Sequence, residues 1–535
     1  MTDRQVSFAF GDLWELVSAA VPDRTALVCE STRLTFAELD ERAAQLAGWL
    51  AAQGVVPGSY VGVQMRNRSE HVETMLAAYK LRAVPVNINY RFGPQELRYL
   101  YADAGLSGVV HDEDLREAVD EARQDVPGLT WTLEAGTDFG AAVGASSPAA
   151  VRPRSGDDVY ALYTGGTTGH PKAVEWRMED AFFACVGGGD PTGDRGPVST
   201  PTELLDRLLE DRAFLPAPPL VHAAGMWTTL RWLFAGCKVV LVPRFDPADI
   251  WRHIARERVT TMNIVGDAMA RPLVSAVPES ADLTCLRTVA TGGAGLSPAV
   301  RSQLLAALPW LTVKDSYGSS ETGVHGWGVS DSGRTATGFS VVDTVLFDPQ
   351  TRAPKPAGAP GPGLVARRGR VPLRYRGDAA KSGDTFVTID GERYALTGDL
   401  AELDPDGQLR LIGRGSQCIN SGGEKIFPEE VEQILREHPD VIDAVVVGLP
   451  DERWGQKVAA LVAPSDGASP NETNLRRYCR ERLAGYKVPK HVFVVPAVER
   501  TIAGKLDYRW ASGRAATLAR AQQSSGSAPM EAISS

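Results

Sequence analysis

Apolar residues recur along this chain with two periods, and their alternation predicts the fold class. Between residues 38 and 53 the period is helical: Leu39, Ala43, Leu46 and Leu50 share one face, and Gly54 ends the run. Short apolar runs follow at intervals, at Val61-Gly62-Val63, Val109-Val110, Lys238-Val239-Val240-Leu241-Val242 and Met262-Asn263-Ile264-Val265. Runs without polar alternation suit strands buried on both faces, and interleaving them with helical patterns predicts βαβ units. The expected fold is α/β, with a large multi-lobed N-terminal domain of mixed sheets and helices over residues 1–413. A Pro- and Gly-rich stretch between Ala353 and Gly363 marks a loop or subdomain junction.

A smaller unit begins near Arg414. Residues 428–437 read as a helix, Val441–Val447 and Val458–Val462 as strands, and 471–483 as a helix with Leu475, Tyr478, Cys479 and Leu483 on one face. Val492–Val495 is a further strand. These elements predict a compact α+β domain over 414–515. From Ala516 onward Ala, Ser, Gln and Gly dominate, so 516–535 is expected to be a disordered tail. No internal repeat interrupts this plan.

Composition narrows the function without choosing it. The net charge is -10 and no basic block stands out, which argues against a nucleic-acid partner. Six cysteines (Cys29, Cys185, Cys237, Cys285, Cys418 and Cys479) are far apart, with no CxxC pair to hold zinc or a redox disulfide. No apolar run reaches the length of about 18 residues that a membrane span requires. The N-terminus lacks a basic-then-apolar leader, and the expected location is cytoplasmic.

Chemistry first shows at Thr164-Gly165-Gly166-Thr167-Thr168-Gly169-His170-Pro171-Lys172. Glycines let backbone N–H groups turn toward an anion, threonine hydroxyls add neutral donors, and Lys172 adds a mobile positive charge. The spacing is not that of G-x-x-x-x-G-K-[ST]. Taken alone, a Gly/Thr string fits a surface turn as well as an anion site. The preceding Val159-Tyr160-Ala161-Leu162-Tyr163 reads as a strand, however, and strand ends are where α/β ligand sites gather.

This loop closely resembles the signature of the adenylate-forming superfamily of acyl-CoA synthetases, luciferases and peptide-synthetase adenylation domains. Further motifs follow in that family's order, and the resemblance spans about residues 10–510. Pro218-Pro219-Leu220-Val221-His222-Ala223-Ala224-Gly225 is similar to the segment whose His or aromatic closes the acyl pocket and orients the carboxylate. Thr291-Gly292-Gly293-Ala294-Gly295 and Asp315-Ser316-Tyr317-Gly318-Ser319-Ser320-Glu321-Thr322 resemble the strings that flank adenine. The resemblance implies that Tyr317 packs on the purine and that Glu321 holds Mg²⁺. Tyr394-Ala395-Leu396-Thr397-Gly398-Asp399 and Gly413-Arg414 resemble the ribose site, with Asp399 accepting from the hydroxyls. Arg500-Thr501-Ile502-Ala503-Gly504-Lys505 ends on a lysine similar to the family's adenylation lysine.

The implied cofactors are ATP, Mg²⁺ and CoA, and the implied partner is a small-molecule acid. A homodimer is an admissible assembly. Lys172, Glu321, His222 and Lys505 are the implied catalytic residues. In the family the small domain docks for adenylation, then rotates about a hinge near Arg414 for thiol attack. Here Ser416 stands at the hinge position, where Asp or Lys is common. Asn420-Ser421-Gly422-Gly423-Glu424-Lys425 resembles the element lining the pantetheine tunnel. Ser320 replaces the commoner Thr, and Ala173 the usual Gly. Candidate acid-pocket residues are His222, Met226, Trp227, Gly266 and Gly292. Three phrases resemble bacterial synthetases for fatty or steroid side-chain acids: Trp176–Asp180, Gly266–Pro272 and Gly504–Tyr508. Three readings stay open: an acyl-CoA synthetase, a relative that loads a carrier protein or activates an unusual acid such as nitrite, and a non-catalytic nucleotide binder.

Overall fold

The computed structural model describes residues 6–150, 152–164, 171–333, 336, 338–356, 358–414, 417, 419–421, 424–451, 455–483, 485–501 and 505–525. The chain divides into two compact units. The first comprises Met1–Val345 with Ala366–Thr397, and the second Leu346–Val365 with Gly398–Ser535. The boundary expected at 413/414 thus falls inside the second unit. The Pro- and Gly-rich stretch marked as a junction falls within the second unit as well.

A nine-stranded sheet dominates the first unit. Six neighbouring strands, Thr312–Ser319, Thr288–Gly292, Thr261–Ile264, Ala213–Pro216, Lys238–Leu241 and Thr25–Cys29, are parallel throughout. Antiparallel strands Gly323–Ser330 and Thr32–Thr35 flank them. Adjacent residues enter different cores: Leu27, Phe214, Val239 and Leu241 pack on one face, and Val28, Leu215 and Val240 on the other. Two buried faces explain why these strands read as unbroken apolar runs. A four-stranded parallel sheet, Val84–Asn87, Tyr60–Gln64, Leu106–His111 and Trp131–Glu134, follows the same rule, with Val109 and Val110 in separate clusters. The third sheet is a hairpin, Val159–Thr164 against Lys172–Arg177, with Arg374–Tyr375 added at its edge.

The second unit contains the helices Pro428–Arg436 and Glu472–Arg480 and the strands Val441–Asp451, Gly455–Pro464 and His491–Val494. The disordered tail expected over 516–535 needs correction for residues 516–525, while 526–535 lie outside the described residues. A helix runs from Tyr508 to Ser525, and Ala511, Ala515 and Ala519 join Val445, Val447, Phe493 and Val495 in one apolar cluster. Alanine at i, i+4 and i+8 gives a helix a smooth face that lies close on a sheet, and alanine is the best helix former. A composition that read as low complexity is therefore ordered through residue 525.

Candidate active site

The two ends of the phosphate-loop motif, Thr164 and Lys172, lie in the third sheet, where they are the last cross-strand pair of Val159–Thr164 and Lys172–Arg177. Gly165, Gly166, Thr167, Thr168 and Gly169 lie outside the described residues. Lys172 is half-buried, and its ammonium pairs with the Asp378 carboxylate. Asp378 is the N-cap of the helix Ala379–Thr385 and also accepts from the Lys381 N–H at 2.9 Å. The bond from Lys172 holds the Asp378 carboxyl below its ordinary range.

Beneath the hairpin is an ionic lattice. Glu175 is wholly buried and accepts from the Tyr60 hydroxyl, from Arg374 Nε at 2.8 Å and from Arg376 Nη1 at 3.1 Å. Burial opposes its ionisation, but these donors outweigh burial and keep its carboxyl below the usual range. Tyr163 donates its O–H to Asp103 at 2.7 Å.

Four motif segments lie at the carboxyl ends of four neighbouring parallel strands. Ala213–Pro216 leads into His222, Thr261–Ile264 into Gly266, Thr288–Gly292 into Gly293 and Ala294, and Thr312–Ser319 into Glu321. Ligand crevices form at such ends because loops diverge there. Half-buried His222 is the N-cap of the helix Ala223–Phe234. The backbones here pack closely. A Cβ on Gly292 would meet Ser316 Oγ at 2.2 Å, and one on Gly266, whose φ is +52°, would meet Gly295 O at 2.6 Å. Met226 and Trp227 belong to the hydrophobic core, and the Trp227 indole N–H donates to the Tyr160 hydroxyl at 2.7 Å.

The string from Asp315 to Glu321 is held from several sides. Asp315 is committed to Arg301 through bonds of 2.7 and 3.1 Å. The Ser316 hydroxyl donates to Thr291 O at 3.0 Å. The Tyr317 ring packs on His325, 4.8 Å between centroids, and on Phe339 at 5.5 Å. Gly318 leads to a tight turn in which the Ser319 N–H donates to Thr322 Oγ1 and the Glu321 N–H to Ser319 Oγ. Ser320 O accepts from Trp176 Nε1 at 3.2 Å, tying this turn to the phosphate hairpin. Glu321 itself accepts the Tyr375 hydroxyl at 2.9 Å. Among the described residues no cluster of three or more His, Cys, Asp or Glu side chains is gathered for a metal. A single carboxylate beside a phosphate-loop motif suits Mg²⁺, which keeps waters and takes phosphate oxygens as ligands.

The remaining candidates belong to the second unit. Asp399 is buried, and its backbone is the cross-strand partner of Arg414. Lys505 is exposed on a short loop. The Thr501 N–H donates to its carbonyl at 2.7 Å, and Arg500 Nη2 donates to Asp443 at 2.6 Å. Ser416, Gly422 and Gly423 lie outside the described residues.

Several supporting residues escaped the sequence reading. Asn87 is buried; its amide accepts from the Tyr163 N–H at 2.9 Å and donates to Tyr163 O at 3.0 Å and Val221 O at 2.6 Å. It therefore clasps the residue before Thr164 and the residue before His222. Asn67 holds the same turn, donating to Pro218 O and accepting from the Leu220 N–H. A lone asparagine closing the apolar strand Val84-Pro85-Val86-Asn87 was the available signal. Tyr375, Asp378 and Arg301 gave none, since their partners are distant in sequence.

A glycine- and threonine-rich hairpin beside the strand ends of a parallel sheet defines a nucleotide-handling α/β enzyme. The chain belongs to the AMP-binding enzyme family, which matches residues 14–371, with the AMP-binding enzyme C-terminal domain matching 430–505. It is 41% identical over 532 residues to a medium/long-chain-fatty-acid–CoA/3-oxocholest-4-en-26-oate–CoA ligase of Mycobacterium marinum, covering 95% of this chain and 96% of that protein. It is 40% identical to a 3-oxocholest-4-en-26-oate–CoA ligase of Rhodococcus rhodochrous, covering 94% of each. Among solved structures, the anthranilate CoA ligase AuaEII in complex with anthranoyl-AMP superposes with a TM-score of 0.82 at 22% identity, covering 97% of this chain and 99% of that one.

Proposed function

We infer that this chain is an AMP-forming acyl-CoA synthetase, and we propose that its acid is a medium- or long-chain fatty acid or a steroid side-chain acid. The observation that carries the reading is the convergence of four separate motifs on neighbouring strand ends beside the Thr164–Lys172 hairpin. The acid class rests on the names of the relatives at about 40% identity.

A carboxylate is already ionised, so no general base is needed. Its oxygen attacks the α-phosphorus of ATP, the bond to the bridging oxygen breaks, and pyrophosphate leaves. The CoA sulfur then attacks the acyl carbon; AMP departs and the thiol proton passes to solvent. The barrier of the first step is crowded negative charge, which fixed cations and N–H groups lower. Lys172 meets the β- and γ-phosphates, and Lys505 aligns the carboxylate with the α-phosphate. His222 orients the acid, Tyr317 packs on adenine, and Asp399 accepts from the ribose. Glu321 would supply an oxygen to Mg²⁺, which neutralises phosphate charge when bound.

The test is acid-dependent pyrophosphate exchange over a panel of fatty, steroid, aromatic and dicarboxylic acids plus nitrite, with thioester detected by mass after CoA is added. Exchange and thioester with fatty or steroid acids are expected. Exchange without thioester would reject CoA as the acceptor, and exchange with nitrite alone would reject the acid class.

A further inference from the structure

We propose that Tyr375 is a positioning residue for Glu321: its hydroxyl fixes one carboxylate oxygen and leaves the other turned to a phosphate-bound Mg²⁺. The inference rests on reading Glu321 as the metal ligand, and it assigns a role to a residue outside every motif above.

The contact is direct, with the Tyr375 O–H donating to Glu321 Oε1 at 2.9 Å. The phenol is the donor of this pair, because a carboxylate oxygen only accepts. Its ring is only 3% exposed and is fixed on its sides by Phe386, 5.2 Å between centroids, and by Lys381 Nζ, 4.2 Å from the ring centre. Its backbone is fixed too. The Tyr375 N–H donates to Ser382 Oγ at 2.9 Å, and Tyr375 pairs with Val174 in the phosphate hairpin. The hydroxyl is thus carried by the strand paired to the one that begins at Lys172. Three residues further on, Asp378 pairs with Lys172 itself.

One short segment, residues 374–382, therefore touches both the candidate metal carboxylate and the candidate phosphate lysine. Trp176, from the strand that begins at Lys172, meets the same turn at Ser320 O. Two links from one hairpin fix the distance between the positive and negative halves of a metal–phosphate site. A glutamate on a turn samples several rotamers, and a hydrogen bond to one oxygen selects among them before the cation arrives. Partners of this kind typically contribute 10- to 100-fold in metal affinity.

The test uses the full chain with ATP and no acid, so that no turnover occurs. Calorimetric ATP binding is measured across a Mg²⁺ series for the wild type, Tyr375→Phe and Glu321→Gln. We expect Tyr375→Phe to raise the half-saturating Mg²⁺ by about tenfold. Its ATP affinity without Mg²⁺ should stay within about twofold of wild type, since Glu321 would contribute to ATP binding through the cation. Glu321→Gln should shift the Mg²⁺ dependence at least as far. If Glu321→Gln shifts it and Tyr375→Phe does not, the role of Tyr375 is overturned while the metal-ligand reading stands. Equal weakening of ATP with and without Mg²⁺ in Tyr375→Phe would mark a merely structural residue and also overturn it. An unshifted Glu321→Gln overturns the metal-ligand reading and this inference with it, leaving the synthetase assignment to the exchange assay.

Discussion

Glu175 in the first unit and Glu432 in the second are both buried against a tyrosine hydroxyl and arginine, yet the two carboxyls are driven in opposite directions. In the first unit Glu175 meets Tyr60 and two guanidiniums, Arg374 and Arg376, and is held below the ordinary range. In the second, Glu432 meets Tyr508, the Val446 N–H and Arg436, each at 2.9 Å, but burial prevails and pushes it up to about 7. The second guanidinium distinguishes the two settings, since an opposite charge within a few ångströms offsets the loss of water. The same contrast runs through the lysines. Lys172 is half-buried and paired with Asp378, and Lys505 is exposed. Charge in the first unit is fixed in place beside the phosphate hairpin. The second unit presents Lys505 at the surface.

Removing that exposed cation should give the largest effect. Lys505→Ala is expected to cut acid-dependent pyrophosphate exchange by about a hundredfold or more, the scale of losing a charged group at a developing anion. Its thermal midpoint should barely move, because an exposed loop side chain carries little packing. Thioester formation from supplied acyl-AMP should remain within a few-fold of wild type, a split read by following both half-reactions in one preparation. Equal loss of both would mean that Lys505 supports the whole site, and the contrast with Lys172 would lapse.

The pairing of Lys172 admits a subtler test. Asp378→Asn keeps the N-cap to Lys381 but removes the countercharge. If the pair fixes the ammonium for phosphate, the variant should raise KM for ATP about three- to tenfold with little change in kcat. A lower KM would show that the carboxylate competes with phosphate, and Lys172 would then be no better placed than Lys505.

These contrasts were only partly legible in the sequence. Parallel strands announce themselves because both faces are buried, so Val239, Val240 and Leu241 had to be apolar together. Motif residues such as Lys172, Glu321 and Lys505 were legible because chemistry dictates residue type at a fixed spacing. The residues that hold them were not. Tyr375 reaches Glu321 across 54 positions and Asn87 reaches Val221 across 134, and no local pattern encodes such pairs. The helix Tyr508–Ser525 was missed for another reason: alanine every fourth residue was masked by Ser512, Gly513 and Thr517 between and by the glutamines and serines that follow.

The most local expected effect isolates the second unit's core. For Glu432 the folded value lies near 7, above the ordinary carboxyl value of 4.5. Below the unfolded value both states hold the proton, and its contribution to stability is fully present. As pH rises from there toward 7 the unfolded chain ionises first while the folded chain stays protonated. Stability should therefore fall across that window, by at most about 1.4 kcal/mol per pH unit, and level off above it. Glu432→Gln keeps an acceptor for Tyr508 and Val446 but cannot ionise, so it should flatten the slope. The measurement is amide hydrogen exchange in Val441–Asp451 and Gly455–Pro464 of the full chain, corrected for intrinsic rates. Strands packed around Glu432 should lose protection as pH rises in the wild type and keep it in the variant. A slope that persists in Glu432→Gln would mean that another group titrates there. A slope of opposite sign in the wild type would mean that Arg436 alone holds Glu432 ionised, and the two buried glutamates would be equivalent after all.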